Sequence, residues 1–412
     1  MTAIIIGAGA AGLATAIFAK RAGPALDVRC FDGATKIGAK ILVSGGSRCN
    51  VTNRVVTDRD FWGGSSRIVR NVLRAFPADR AAAFFESLGV PLHEEEDGKL
   101  FPDTNRSRTV LDALLTEARR LGVVVETGRR VTAIARGPQG FVVETADRSR
   151  FDGQSVVLAT GGRSLPKTGS DGLGYELARG LGHTCIVTTP ALAPLVLEGD
   201  RHAALAGVTH DVALSLRVDG STTVRIEGSM LWTHFGISGP AALNLSRHWH
   251  RAQVAGTRTE VWLNVCPGET FESLEEWWLA QERARPRAQV STVLATRLPS
   301  SVAEAWIADN AIDPETTLAH LSKNARRTLT HALLDTPLAV LDSRGYSYAE
   351  VTAGGVPLEE IDAATMQSRV CPGLFLVGEI LDVDGRLGGF NFQWAWSSGW
   401  VAGHAIAKAS RE

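Results

Sequence analysis

The apolar positions of this chain change their period several times, and each change marks an element. Ile4-Ile5-Ile6 is a short β-branched run ending in glycine, which predicts a buried parallel strand. The apolar, alanine-rich segment 13–22 predicts a helix, and Val28-Arg29-Cys30-Phe31 a second strand. From 67 to 89 the apolar residues Val69, Val72, Leu73, Phe76, Phe84, Phe85 and Leu88 fall at helical spacing, and 109–121 is again an amphipathic helix. Asp97-Gly98-Lys99 predicts a hairpin turn ahead of Leu100-Phe101-Pro102. A strand is expected at 123–125, then meander strands at 131–134, 141–143 and around Phe151. Val156-Val157-Leu158-Ala159 predicts another buried strand, running into Thr160-Gly161-Gly162, with a helix over 174–181.

Past Pro190 the runs shorten. Segments 195–197, 212–216 and 223–226 alternate apolar with polar and predict antiparallel strands of a separate small barrel or sandwich. The stretch 227–240 follows, its part 233–240 glycine-flanked and loop-like, then a helix over 241–247 and a strand over 261–265. From 271 to 336 the pattern is helical and rich in Arg and Glu, with breaks at Pro286, Pro299 and Pro314: a helical insert. Its Lys323, Arg326 and Arg327 predict a solvated face, or a contact for an anionic substrate. The chain then returns to a buried strand, 373–379, ending in Gly378-Glu379, a glycine-rich loop over 382–393, and a small-residue helix over 395–409. Both ends therefore predict one α/β domain, with the middle inserted into it.

The glycines indicate what that domain holds. Gly7, Gly9 and Gly12 form Gly-x-Gly-x-x-Gly between the first strand and the first helix. Gly7 permits the turn, Gly9 lets backbone approach a pyrophosphate, and Gly12 lets the helix pack on its strand, so that phosphates meet the helix N-terminus. Asp32 ends the second strand, about 20 residues on, where a carboxylate binds ribose hydroxyls. The segment 2–19 is as apolar as a signal peptide or membrane anchor, but no basic region precedes it and the glycine spacing would serve nothing there. In Ser44-Gly45-Gly46-Ser47-Arg48-Cys49-Asn50 the glycine pair brings backbone N–H groups to a ligand, and Arg48 and Asn50 add donors for a phosphate or an isoalloxazine edge; a surface turn fits that stretch equally well. At the other end, Glu379 would accept from a ribityl hydroxyl, and the following helix dipole would support negative charge on a reduced flavin ring.

Bulk properties narrow the class. The 412 residues suggest two or three domains, and 44% hydrophobic with 21% charged residues fits a globular chain. A net charge of -1 argues against coating nucleic acid or membrane by bulk electrostatics. Five scattered cysteines without a CxxC pair suggest neither a disulfide framework nor a zinc site, hence a reduced, cytoplasmic location. No later window predicts a transmembrane helix.

The stretches GAGAAGLATA, KIGAKILVSGGSRCNVTN, KLFPDT, VVLATGGRSLPKTGSDGLGYELARGLGH, MLWTHFGISGPAALNLSR, VTAGGV and GLFLVGEILDVDGRLGGFNFQWAWSSGWVAG span nearly the whole chain. In them the sequence resembles the YhiN/BaiN-like FAD-binding oxidoreductases, relatives of the glutathione-reductase type of flavoprotein. The family usually carries a third glycine where this chain has Ser47, and Gly-Tyr-Asn where it has Gly389-Phe390-Asn391. The resemblance implies an α/β fold: a Rossmann-type FAD-binding domain built from both termini (1–190 and 352–412), a β-barrel-like insert (191–268, returning through 337–351) and a helical insert (269–336). It implies non-covalent FAD held by Gly7, Gly9, Ala10, Ala11, Gly12 and Asp32; by Lys40, Ser44, Gly45, Gly46, Arg48 and Asn50; by Val131, Thr160, Gly161 and Gly162; and by Gly378, Glu379, Asp384, Gly389, Phe390, Asn391 and Gln393. Activities in the family include reduction of a steroid enone, reduction of a ribosomal-RNA uridine, and oxidation of aminoacetone.

Reducing an activated C=C bond needs a hydride from the flavin and a proton on the opposite carbon. Two residues are candidate donors. Cys49 is either that acid or a small thiol packed in a core; His234, in Thr-His-Phe-Gly-Ile-Ser-Gly-Pro, either donates the proton, binds substrate, or braces its loop. Ser238 reads as an N-cap or turn residue, and Trp394 and Trp396 as core residues or pocket walls. The leading expectation is an FAD-dependent reductase fed by NAD(P)H and acting on an enone or uracil-like small molecule or nucleobase. The alternatives are a flavin amine oxidase using O2 and an RNA-acting flavoprotein. No second strand–GxGxxG–helix unit is present in the sequence, so a nicotinamide donor would visit the flavin transiently.

Overall fold

A computed structural model describes residues 1–137 and 139–411. They form two compact units, Met1–Pro190 with Tyr346–Glu412, and Ala191–Gly345.

The first unit is built on a seven-stranded sheet. Its first strand, β1 (Thr2–Ile6), lies parallel between β2 (Asp27–Phe31) and the strand Ser155–Leu158, with Ile6 level with both Phe31 and Leu158. Val124–Glu126 extends the sheet beyond β2, and Leu374–Leu376 extends it beyond Ser155–Leu158, both parallel. The short strands Ile361–Asp362 and Gln367–Ser368 add an antiparallel edge. Parallel strands buried on both faces carry continuous rather than alternating apolar residues, which is why Ile4-Ile5-Ile6 and Val156-Val157-Leu158 read clearly in the sequence. Helix α1 (Ala10–Ala22) packs on the C-terminal helix Phe390–Ala409. A Cβ on Gly403 would stand 2.8 Å from Thr15 O, and one on Gly399 3.0 Å from Ala11 O, so the two helix backbones approach as only glycine permits.

Two local expectations change in this unit. The helical spacing over 67–89 belongs to two helices, Ser66–Ala75 and Ala78–Ser87. Pro77 lacks an N–H and pushes the preceding residue out of the helical region, and Phe76 sits at φ -141°, ψ 80°. The last helix begins at Phe390, not 395, so Phe390 to Gln393 form its first turn instead of a loop. The strands Val131–Gly137, Gly140–Thr145 and Arg150–Gly153 make an antiparallel sheet of their own. In the hairpin Leu92–Glu94/Lys99–Pro102 the turn carries positive φ at Asp97 and Gly98.

The second unit is a seven-stranded antiparallel sheet with helices. In spatial order its strands are Thr336–Leu338, Thr259–Asn264, Thr209–Val218, Ser221–Thr233, Gly236–Ser238, Leu195–Leu197 and Val340–Ser343. The two end strands of that order, Thr336–Leu338 and Val340–Ser343, are separated by Ala339 alone, so one stretch of chain pairs with Thr259–Asn264 and with Leu195–Leu197 and brings the two ends of the sheet together; Pro337, which cannot donate to a ladder, lies in that stretch. The stretch 223–226 read as a strand belongs to the longer strand Ser221–Thr233, and the loop-like motif 233–240 holds the short strand Gly236–Ser238. The helices Phe271–Ala284, Val290–Leu294, Ser300–Asp309 and Lys323–Leu334 are broken near Pro286, Pro299 and Pro314. Arg326 is not on a solvated face: only 11% of its side chain is exposed, and it pairs with Glu275, while Arg327 lies over the Phe271 ring. The chain re-enters the first unit at Tyr346. No described helix is long and apolar enough to cross a membrane.

Candidate functional site

The turn between β1 and α1 is held by backbone contacts that exclude side chains. A Cβ on Gly7 (φ 102°) would meet Ala159 O at 2.4 Å, and one on Gly12 would meet Gly7 O at 1.9 Å. Gly9 differs: nothing lies within 4 Å of where its Cβ would be. It is the N-cap of α1, with no side-chain cap bond and no acid in the first turn. The first-turn amides, at Ala10 and Ala11 among others, thus face open space at the positive end of a helix, an arrangement that fits a pyrophosphate. Beside them Asp32 is aimed by two amides: Ala8 N donates to Oδ2 and Ala34 N to Oδ1, both at 2.8 Å. Each oxygen keeps a lone pair for a ribose hydroxyl.

Helix α2 (Ala39–Ser47) is interrupted where the sequence places its glycine pair. Ser44 is extended (ψ 149°), and Gly45, Gly46 and Ser47 follow with φ of 54°, 67° and 68°; Cys49 is left-handed too, at 65°. Glycine accepts that conformation freely, whereas Ser47 and Cys49 hold it under strain. The side chains expected to face a ligand here are engaged by protein. Arg48 pairs with Glu95 at 2.5 Å and lies over the Phe101 ring. The Asn50 amide, oriented to suit its neighbours, donates to Thr52 O (2.8 Å) and accepts from Gly389 N (3.0 Å), bracing the start of the C-terminal helix. Cys49 is fully buried, and burial pushes its thiol up to about 12. A proton donor works best with a pKa near the operating pH, so Cys49 is poorly suited to that role.

The third and fourth segments meet at Glu379. Thr160-Gly161-Gly162 follows the strand Ser155–Leu158, with Gly161 at φ 71° and the Thr160 hydroxyl buried without a partner. Two residues on, Ser164 donates to Glu379 Oε1 at 2.8 Å, and Thr352 N donates to the same oxygen at 2.9 Å. Lys40 Nζ reaches both Glu379 Oε2 and Ser164 Oγ at 2.6 Å. Ser164 and Thr352 escaped the sequence reading, although each lies inside a stretch singled out there, the first in GGRS and the second in VTAGGV.

Past Glu379 the remaining expected residues serve the chain in several ways. Gly378 (φ 72°) is fixed by Ser398 and by Trp394 Nε1, which donates to its carbonyl at 3.1 Å. Trp396 Nε1 donates to Val51 O, and both tryptophans are core residues, not pocket walls. The Asn391 side chain clamps Gly385 through its N–H and its carbonyl. Gln393 is fully buried: its amide nitrogen donates to Phe76 O and Ser397 Oγ, and its oxygen accepts from Thr52. Those side chains are spent on the protein. The Gly389 amide is taken by Asn50, so what Phe390 and Asn391 offer a ligand is backbone, at a helix N-terminus with neither a side-chain cap nor an acid in its first turn. Phe390, Asp384 and Val131 are buried.

His234 belongs to the second unit. It sits exposed in the turn between Ser221–Thr233 and Gly236–Ser238, its ring edge-on to Phe235. Ser238 takes the N-cap position of the helix Gly239–Val254, without a side-chain cap bond. Among the described residues no group of His, Cys, Asp and Glu could hold a metal ion.

A family described as the HI0933-like protein Rossmann domain matches residues 1–405. A 3-dehydro-bile acid delta(4,6)-reductase of Clostridium scindens is 34% identical over 404 residues, 98% of each chain. A ribosomal RNA dihydrouridine synthase of Escherichia coli is 33% identical over 410 residues, 99% of this chain and 98% of that one. In fold, the chain resembles a 3-ketosteroid delta1-dehydrogenase from Sterolibacterium denitrificans, with a TM-score of 0.50 and 12% identity over 99% of this chain and 100% of that one.

Proposed function

The chain belongs to the HI0933-like family of Rossmann-domain flavoproteins, and on that premise we propose that it is an FAD-dependent reductase of a C=C bond conjugated to a carbonyl. The observation that carries this reading is the pairing of two full-length relatives whose names denote one chemistry on unlike substrates. Saturating an enone and saturating uridine to dihydrouridine both add hydride to one carbon and a proton to its neighbour. An enone and a uracil-like ring are therefore the two substrate classes to test. The electron donor in this proposal is NADH or NADPH.

FAD, when bound, supplies the hydride. The chain's own residues hold it and manage the proton. The α1 amides beyond Gly9 would hold its pyrophosphate and Asp32 its ribose. The amides opening the helix Phe390–Ala409 would favour negative charge on a reduced ring held near them. For the proton, the Cys49 thiol is buried and pushed up to about 12, which leaves His234 as the candidate to test.

The test is anaerobic reduction of the purified flavoprotein, followed by the flavin's visible absorbance, with NADPH, NADH and aminoacetone added separately. Bleaching by a nicotinamide, then reoxidation by an enone or by uridine in RNA, is the expected result. Bleaching by the amine alone would replace the reductase with an oxidase, and turnover unchanged in His234→Ala would remove His234 from the proton path.

A further inference from the structure

The first unit holds a cavity of about 250 Å³ beside the start of the C-terminal helix, with two arginines and one aspartate in its lining. Arg70 and Arg74 stand one turn apart on the helix Ser66–Ala75, so they share a face. Asp58 grips Arg70 in a fork, Oδ1 accepting from Nε at 2.9 Å and Oδ2 from Nη2 at 2.8 Å. That pairing cancels one charge, aims the guanidinium and leaves three of its five N–H groups free. Arg74 keeps all five: among the described residues it makes no hydrogen bond or ion pair. The backbone acceptor closest in sequence is spent, because Phe76 O accepts from Gln393 Nε2 and from Ser397 Oγ, both at 2.8 Å. Pro77, also in the lining, is the N-cap of the helix Ala78–Ser87, whose positive end is offset in part by Asp79. Leu73 and Pro77 make part of the wall apolar.

That lining selects its ligand. Two guanidinium groups with so many free donors suit an anion with three oxygens better than a carboxylate with two, and the apolar wall suits a body attached to it: a phosphate monoester on a nucleoside. The cavity is smaller than the about 300–1,000 Å³ that enclose a drug-sized ligand, so it takes one end of a longer molecule. The sequence has a single strand–GxGxxG–helix unit, which FAD would occupy, so a nicotinamide donor has no nucleotide domain of its own. Gln393 lines the cavity three residues into the helix Phe390–Ala409, about 5 Å along the axis from the opening amides assigned above to the reduced ring. An extended dinucleotide bridges that distance easily. Resting on the reductase reading above, we propose that this cavity holds the 2′-phosphate end of NADPH and so selects NADPH over NADH. Arg74 supplies the uncommitted charge, and Arg70, aimed by Asp58, the second set of donors.

The experiment makes two titrations of the FAD-loaded full chain. Calorimetry with 2′,5′-ADP, 5′-AMP and inorganic phosphate reads the cavity without turnover, and anaerobic flavin bleaching with NADPH and NADH reads the donor. NADPH is expected to half-saturate at a concentration roughly 10- to 100-fold below NADH, the worth of charge-assisted hydrogen bonds to one phosphate, and 2′,5′-ADP to bind more tightly than 5′-AMP by a similar factor. Arg74→Met should bring NADPH to the level of NADH and 2′,5′-ADP to that of 5′-AMP, leaving NADH and the limiting rate of bleaching unchanged. Arg74→Lys should restore part of the difference. Arg67→Met, exposed on the same helix but outside the cavity, should change nothing. Equal half-saturation by the two nicotinamides overturns the inference, as do equal losses in Arg74→Met and Arg67→Met. Inorganic phosphate binding as tightly as 2′,5′-ADP overturns it too, since the cavity would then be a site for free phosphate. A flavin that neither nicotinamide bleaches overturns the reductase reading, and this inference with it.

Discussion

Gly9→Ala separates a glycine kept for a ligand from one kept for the fold. At φ -84°, ψ -162° alanine is unstrained, and nothing lies within 4 Å of the added methyl. Alanine is a poorer N-cap than glycine, but it restricts the unfolded chain, and the two effects oppose each other at about 0.4–1 kcal/mol each. The stability of the flavin-free protein should therefore stay within about 1 kcal/mol of wild type. The same methyl projects into the space where the α1 amides would meet a pyrophosphate. Losing one charge-assisted hydrogen bond there costs about 1.5–3 kcal/mol, a rise in Kd for FAD of roughly 10- to 150-fold. Urea unfolding of the flavin-free chain gives the first quantity, and flavin fluorescence titration gives the second. Unchanged FAD affinity, or a flavin-free protein destabilised by well over 1 kcal/mol, would refute the reasoning.

Gly12→Ala should behave in the opposite way. Its methyl overlaps Gly7 O at 1.9 Å, so urea unfolding of the flavin-free protein should show a loss of about 1–3 kcal/mol. Ser47→Gly, at φ 68°, should raise the unfolding midpoint by an amount worth up to about 1 kcal/mol, the relief of left-handed strain less glycine's added unfolded-state entropy; a lower midpoint would show that the serine side chain contributes there. Glu117 is held below its usual 4.5 by the hydrogen bond from Arg120 and then by Arg21, against its partial burial. Its contribution is therefore present above the usual carboxylate value and is lost as pH falls through the depressed folded value. Glu117→Gln should cost about 1 kcal/mol at pH 7, solvent screening of Arg120 limiting the loss, and the gap from wild type should close in acid unfolding curves.

What the sequence disclosed was mostly local. The β1 run, the three glycines and Asp32 lie within one short segment, and their spacing alone prescribes strand, turn, helix and carboxylate. Elements whose limits depend on distant partners were misjudged. Phe390 to Gln393 looked like loop because of the glycines before them; they are helical, with the N-cap Gly389 amide held by the distant Asn50 and the Gln393 side chain by Thr52. The motif 233–240 read as loop, yet Gly236–Ser238 pairs with Leu231–Thr233 and with the distant strand Leu195–Leu197. The Arg48 and Asn50 side chains were assigned to a ligand because their protein partners, Glu95 and Gly389, lie in other segments. The Glu379 cluster is the extreme case: Lys40 lies 339 residues from the carboxylate it pairs with, and no spacing rule reaches that far.

The union of the two chain ends also sets the order in which a ribosome can complete this protein. The strand Ser155–Leu158 needs Leu374–Leu376 at its side, and α1 needs the helix Phe390–Ala409 across its glycine contacts. Neither partner exists until all of 191–345 has been made, which at about 5–20 residues per second takes roughly 8–30 s. During that interval the nascent first half exposes an unpaired parallel strand and the bare apolar face of α1. The inserted unit, whose strands all lie within Ala191–Gly345, can close first. Translation speed through the insert, and chaperone occupancy of the waiting N-terminal segment, thus become determinants of yield, and destabilising the last helix should appear as aggregation during synthesis before it appears as a lower melting temperature.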